Sequence, residues 1–138
     1  MGYGTDGLTF NTLRAGNETR LRETPKFAKC REWSNAQWMC ALVGEVGELA
    51  NLLKKYDRGD FTELDIGAKA NVAKELADIQ TYLDLLAMKL GVDLGKATMD
   101  KFDEVSKRVG ANVYIDHDGW HRYRDEWSGE KLGGRNNK

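Results

Sequence analysis

Four carboxylates sit where a helix has to be greasy. Glu45 and Glu48 interrupt the apolar run ALVGEVGELANLLKKY (41–56), and Glu75 and Asp78 interrupt VAKELADIQTYLDLLAMKL (72–90). At about 100° per residue, a window of roughly 60° either side of Glu45 gathers Trp38, Leu42, Glu48, Leu49, Leu52 and Tyr56. The same window around Glu75 gathers Ala68, Val72, Asp78, Ile79, Tyr82, Leu86 and Leu90. Each pair spans i and i+3, so its members are neighbours on the helix surface. The acids therefore share the face that must pack. A bare acid there is costly, so it is protonated, paired or holding a cation. Taken singly, either pair could sit at the edge of its face, reaching water or pairing with Lys54 or Lys74. Two such pairs on adjacent helices point instead to one nest of oxygen ligands, hard donors that suit Mg²⁺ or Mn²⁺.

The rest of the chain asks for helices to carry that nest. Its 138 residues are enough for one domain with a real core. A first helix is expected over 8–22, with Phe10, Leu13 and Leu21 as contacts and Gly16 as a weak point. Pro25 lies in a connection of mixed character. Ser34 and Gln37 have capping-box spacing at the start of a second helix, which runs to Tyr56 and stops at Asp57-Arg58-Gly59-Asp60. Trp33 and Trp38 are spaced as a hydrophobic staple across that start. A third helix covers 64–90 and ends at Gly91. Asp93 caps a fourth over 94–109, closed by Gly110. Beyond residue 112 the period is lost. Residues 113–138 read as an irregular, partly disordered extension, in which Val113-Tyr114-Ile115 is the one strand candidate. The expected fold is all-α, a four-helix bundle over 1–112 with the acids built into it.

Charge and cysteine content exclude several functions. Twenty-one basic and 22 acidic side chains nearly cancel, which gives no electrostatic reason to bind nucleic acid or an anionic membrane. Every apolar run carries a charge within a turn or two, so no membrane span is expected, and no signal peptide is recognisable. Cys30 and Cys40 lack metal-ligand spacing and read as reduced cysteines of a cytoplasmic protein, Cys40 being small and buried. Asp116, His117, Asp118 and His121 have some look of a metal patch. Gly119 lies among them, and a solvated polar extension explains them better.

Converging carboxylates in a bundle fit a di-iron oxidase or metal-assisted phosphoryl chemistry. The first wants Glu-x-x-His, and here neither Glu45 nor Glu75 is followed by histidine at that spacing. The second fits an all-oxygen set. The stretches ALVGEVGELANLLKK, KELADIQTYLDLLAMKLGVDL and KFDEVSKRVG together resemble the MazG family of all-α nucleotide pyrophosphohydrolases over about Trp33 to Gly110. The N-terminal TFNTLRAGNETRL is similar to short members of that family found in phages. The pattern E-x-x-E, spacer, E-x-x-D is met by Glu45, Glu48, Glu75 and Asp78.

The resemblance implies hydrolysis of a nucleoside triphosphate between the α and β phosphorus, giving a monophosphate and pyrophosphate. It makes the four acids Mg²⁺ ligands, Mn²⁺ being the substitute, with Glu48 the candidate base. It also makes Lys101 and Arg108 phosphate-binding residues, with Lys54 and Lys55 as second choices. Tyr82 matches an aromatic position of the family's base pocket, and Trp33 and Trp38 are weaker candidates for that wall; Asn17 and Arg20 border the site at most. A single unit would leave such a site half open, which with the resemblance suggests a homodimer or homotetramer in the cytoplasm, a host's if the chain is phage-encoded. The alternatives are phosphoribosyl-ATP pyrophosphohydrolase, disfavoured by EVGELA and TYLDLLA, and a non-catalytic bundle that binds Mg²⁺ and nucleotide.

Overall fold

The computed structural model describes residues 7–62 and 65–123. They are all-α apart from one short hairpin. The helices are α1 (Phe10–Glu23), a 3₁₀ segment (Pro25–Glu32), α2 (Asn35–Asp57), α3 (Ile66–Lys89) and α4 (Leu94–Val109). Two compact units divide the chain, one ending at Val92 and the other beginning at Asp93. No described helix is long and apolar enough to cross a membrane.

Local chemistry sets each start. Thr9 Oγ1 accepts from the Thr12 N–H at 3.1 Å, and the Thr9 N–H donates to Thr12 Oγ1 at 2.7 Å, a reciprocal cap that starts α1 at residue 10 rather than 8. Pro25, with φ fixed and no N–H to satisfy, opens the 3₁₀ segment where the sequence suggested only a mixed connection. Ser34 and Gln37 form the expected capping box at 3.2 and 2.9 Å. Trp33 and Trp38 meet edge to face across it, 4.8 Å between ring centroids, so the staple is real. Asp65 caps α3 through the Ala68 N–H at 3.0 Å, so the helix starts at Ile66, two residues later than the expected 64. Asp93 caps α4 through the Lys96 N–H at 2.9 Å. Gly110 ends that helix at φ 75°, a conformation glycine reaches without steric cost.

In the first unit α3 packs against both α2 and α1. Trp38, Leu42 and Ala87 are its buried apolar side chains among the described residues. A second set of apolar side chains stays outside. Met39, Val43, Val46 and Leu53 line one side of α2, Leu76 and Leu83 one side of α3, each 36–53% exposed. Cys40 is exposed rather than buried, because it lies on the side of α2 away from Trp38 and Leu42. α1 is tied to α3 by polar contacts: Asp84 accepts from Arg14 Nε and from Asn17 Nδ2, both at 2.9 Å, and Asp84 and Asn17 are fully buried.

In the second unit, 113–123 is ordered as a hairpin rather than an irregular extension. β1 (Val113–Ile115) pairs antiparallel with β2 (His121–Tyr123), Val113 opposite Tyr123. Three-residue strands are too short to show an alternating period, which hid the second of them. The remaining tail, expected to be partly disordered, lies outside the described residues.

Candidate functional site

α2 and α3 bring three of the four acids together. Each of Glu45, Glu48 and Glu75 can place one carboxylate oxygen within 4.8 Å of the others. Glu45 and Glu75 are half-buried and Glu48 is exposed, so the nest opens to solvent on one side. Asp78 stands outside this trio, one turn beyond Glu75, yet it is close enough to act on Glu45. Burial, then the negative charges of Asp78, Glu48 and Glu75, push the Glu45 carboxyl above its ordinary value. Negative charge is concentrated here, and among the described residues no basic side chain pairs with the trio. The donors are all oxygen, with neither His nor Cys in the group. That chemistry fits Mg²⁺ or Mn²⁺ and fits Zn²⁺ poorly.

The raised Glu45 carboxyl has a consequence for stability. A folded-state value above the unfolded one favours the folded protein below the ordinary value of 4.5 and loses that contribution as pH rises through the raised value. At neutral pH the ionised Glu45 of the metal-free protein therefore costs the fold some stability. Glu45→Gln is expected to raise the melting temperature of the metal-free protein at pH 7 and to shrink the increment that Mg²⁺ adds. Calorimetry with EDTA or Mg²⁺ reads both, and a variant that melts lower without metal would contradict the repulsion.

Beside the acids lies a cavity of about 190 Å³. Its aromatic lining is Phe27, Trp33, Trp38 and Tyr82, and its polar lining includes Asn17, Arg20, Thr81 and Asp78. Trp38 is the hinge of this wall, packing on Trp33 and, at 6.3 Å between centroids, on Tyr82. Tyr82 is half-buried, and its hydroxyl is pushed up by burial and then by the charge of Glu45, while Arg20 acts in the opposite direction. Asp78 is thus shared: one side lines the cavity, and its charge reaches the acid trio. A polyanion with a flat aromatic end would find its two requirements side by side.

The basic candidates are more scattered. Lys54 is exposed and Lys55 half-buried in the last turn of α2, where cations offset the helix dipole. Lys101 and Arg108 are exposed on α4 in the second unit, and Lys101 pairs with Glu104 one turn along. Asp116 is occupied by the hairpin turn. Its oxygens accept from the N–H groups of Asp118 and Trp120 at 3.1 and 2.9 Å and from Arg122 Nε at 2.7 Å, holding the carboxyl below its ordinary value. The patch around His117 and His121 is thus organised by a turn-fastening carboxylate.

Phe27 and Thr81 joined the cavity without a sequence signal, and Asp84 was missed behind it. An Asp inside TYLDLLAMKL is the trace that could have exposed Asp84, because a charge amid leucines needs a partner somewhere.

No protein-family model matches the chain. Among curated proteins, its sequence is similar to dCTP pyrophosphatase 1 of Homo sapiens, 34% identical over 94 residues that cover 64% of this chain and 55% of that protein. The proteins of the same name from Rattus norvegicus and Bos taurus are 36% and 37% identical over the same length, covering 55% and 56% of those proteins. The chain spans about half the length of the curated relatives it matches.

Proposed function

We propose that this chain is a metal-dependent nucleotide pyrophosphohydrolase of the MazG-like kind. It would cleave the α–β phosphoanhydride of a nucleoside triphosphate to a monophosphate and pyrophosphate, with dCTP the first substrate to try. The observation that supports this best is Asp78, placed between an oxygen-ligand nest and an aromatic cavity. The similarity to proteins named dCTP pyrophosphatase 1 supports the same reading.

Glu45, Glu48 and Glu75, joined by Asp78, would hold Mg²⁺, or Mn²⁺ in its place. Bound metal would supply the positive charge that offsets the phosphate oxygens and favours ionisation of an attacking water. Glu48, the exposed member of the trio, is the candidate to accept the water's proton. Trp33 and Tyr82, backed by the buried Trp38, would clasp the base and exclude water from it. The resemblance makes Lys101 and Arg108 the candidates for neutralising phosphate charge that the metal leaves over, and Lys54 the second choice. Acting on free nucleotides, the enzyme would work in the cytoplasm, with neither nucleic acid nor membrane as partner.

The exposed apolar sides of α2 and α3 support a homodimer or homotetramer, because a second copy would cover Met39, Val43, Val46 and Leu53. A single-chain mass in sedimentation equilibrium would rule this out. The catalytic reading is tested by following pyrophosphate release from the four dNTPs while titrating Mg²⁺ and then removing it with EDTA. Turnover that rises with Mg²⁺ and stops with EDTA is expected. Mg²⁺ and nucleotide binding without turnover would instead identify a non-catalytic binding bundle.

A further inference from the structure

The polar wall of the cavity is anchored in the protein interior. Asp84 and Asn17 are only 1% and 2% exposed. Asp84 Oδ1 accepts from Arg14 Nε, and Arg14 Nη2 donates onward to the Val92 carbonyl at 3.1 Å. Asp84 Oδ2 accepts from Asn17 Nδ2. An ionised carboxylate only accepts, so Asn17 must turn its NH₂ toward Asp84 and its carbonyl oxygen the other way. That oxygen accepts from Arg20 Nη2 at 3.0 Å. Every contact from Arg14 to Arg20 is thereby oriented, and the relay ends on a guanidinium in the cavity wall.

Arg20 is exposed, and its side chain donates to a neutral amide oxygen. A guanidinium carries five N–H donors, so most of them remain for a ligand. Its positive charge strengthens any hydrogen bond it makes to an incoming oxygen. The same bond satisfies the buried Asn17 oxygen and holds the guanidinium at the cavity wall.

We infer that Arg20 is the specificity-determining group of the cavity and Asn17 its positioning residue, the Asp84 relay aiming the Arg20 N–H donors at a ring carbonyl of the nucleobase. The inference rests on the nucleotide reading of the neighbouring acids. It selects a base that carries a carbonyl acceptor, cytosine, thymine or guanine, stacked on a wall of Trp33 and Tyr82 backed by Trp38. Adenine has no ring carbonyl and would leave the guanidinium unpaired, a loss that a site built to hydrogen-bond its substrate penalises.

Three substrates separate this role from others: dCTP, dATP and a deoxyribose 5-triphosphate that lacks a base. For Arg20→Gln, KM for dCTP is expected to rise about tenfold or more with kcat within a few-fold, as loss of a charge-assisted hydrogen bond implies. The preference for dCTP over dATP narrows, the base-less substrate is unaffected, and Arg20→Lys recovers part of the loss. An equal loss on the base-less triphosphate would place Arg20 on the phosphates and overturn the assignment, as would an unchanged KM for dCTP. Asn17 is read separately, by ¹⁵N relaxation at Arg20 Nε. The order parameter should fall clearly below the wild-type value in Asn17→Ala, or in Asn17→Ser, which returns a hydroxyl donor to Asp84. Equal order in wild type and variant would overturn the positioning role even without turnover. A wild type that cleaves no triphosphate, with Arg20 ordered, would sink the nucleotide reading and the base assignment while upholding the relay.

Discussion

Glu48→Gln and Glu75→Gln should each lower pyrophosphate release by about a hundredfold or more while the helical circular dichroism stays unchanged. Glutamine keeps the shape of each side chain and removes the charge that would hold a divalent cation, so the loss falls on chemistry rather than packing. Glu48 is exposed and Glu75 half-buried, and among the described residues neither forms an ion pair whose loss would disturb the fold. Both also repel Glu45, so neutralising either should relieve the metal-free protein slightly. Steady-state kinetics over a wide Mg²⁺ range check the prediction. Variants that regain wild-type rate only at high Mg²⁺ would mark a ligand that helps binding alone. Full activity in both at ordinary Mg²⁺ would show that the acid trio is not the centre of the reaction.

The largest effect on stability is expected from Asp84→Ala, at about 3 kcal/mol. The substitution leaves Asn17 without its acceptor inside the protein and Arg14 without its carboxylate. The low end of the range for breaking a buried pair applies, because the Arg14 side chain is 23% exposed and can still reach water. For a chain of this size that is a fall of about 10 °C in melting temperature. Asp60→Ala is the control. It breaks the Arg58–Asp60 pair on an exposed surface, where such pairs contribute about 1 kcal/mol or less. Thermal and urea melts of both variants decide the matter. A loss for Asp84→Ala no larger than for Asp60→Ala would mean that α1 is held to α3 by something other than this carboxylate.

What could be read in the sequence was local. The acid pairs repeat at i and i+3, and the Ser34–Gln37 box and the Trp33–Trp38 staple lie within five residues of chain. Such patterns need only the geometry of one helix. The Asp84 relay joins residues 67 and 70 positions apart, and no periodicity relates Arg14 or Asn17 to an acid in another helix. Cys40 shows a second limit. An apolar stretch such as MCALVGEV tells which residues avoid water, but α2 has two apolar sides, and only the one bearing Trp38 and Leu42 is buried within the chain. The hairpin was hidden by its short strands, and by an Asp116 that read as part of a solvated polar extension when its carboxylate fastens the turn. Asn17 and Arg20 were legible only as residues near a site. Their bonding gives them separate tasks.

The most direct test is phosphorus NMR of dCTP incubated with the purified chain and Mg²⁺, with an EDTA control. Resonances of dCMP and pyrophosphate, growing together and only with metal, are the expected result. Orthophosphate and dCDP would mean that the β–γ bond is cut, contradicting the proposed cleavage between the α and β phosphorus.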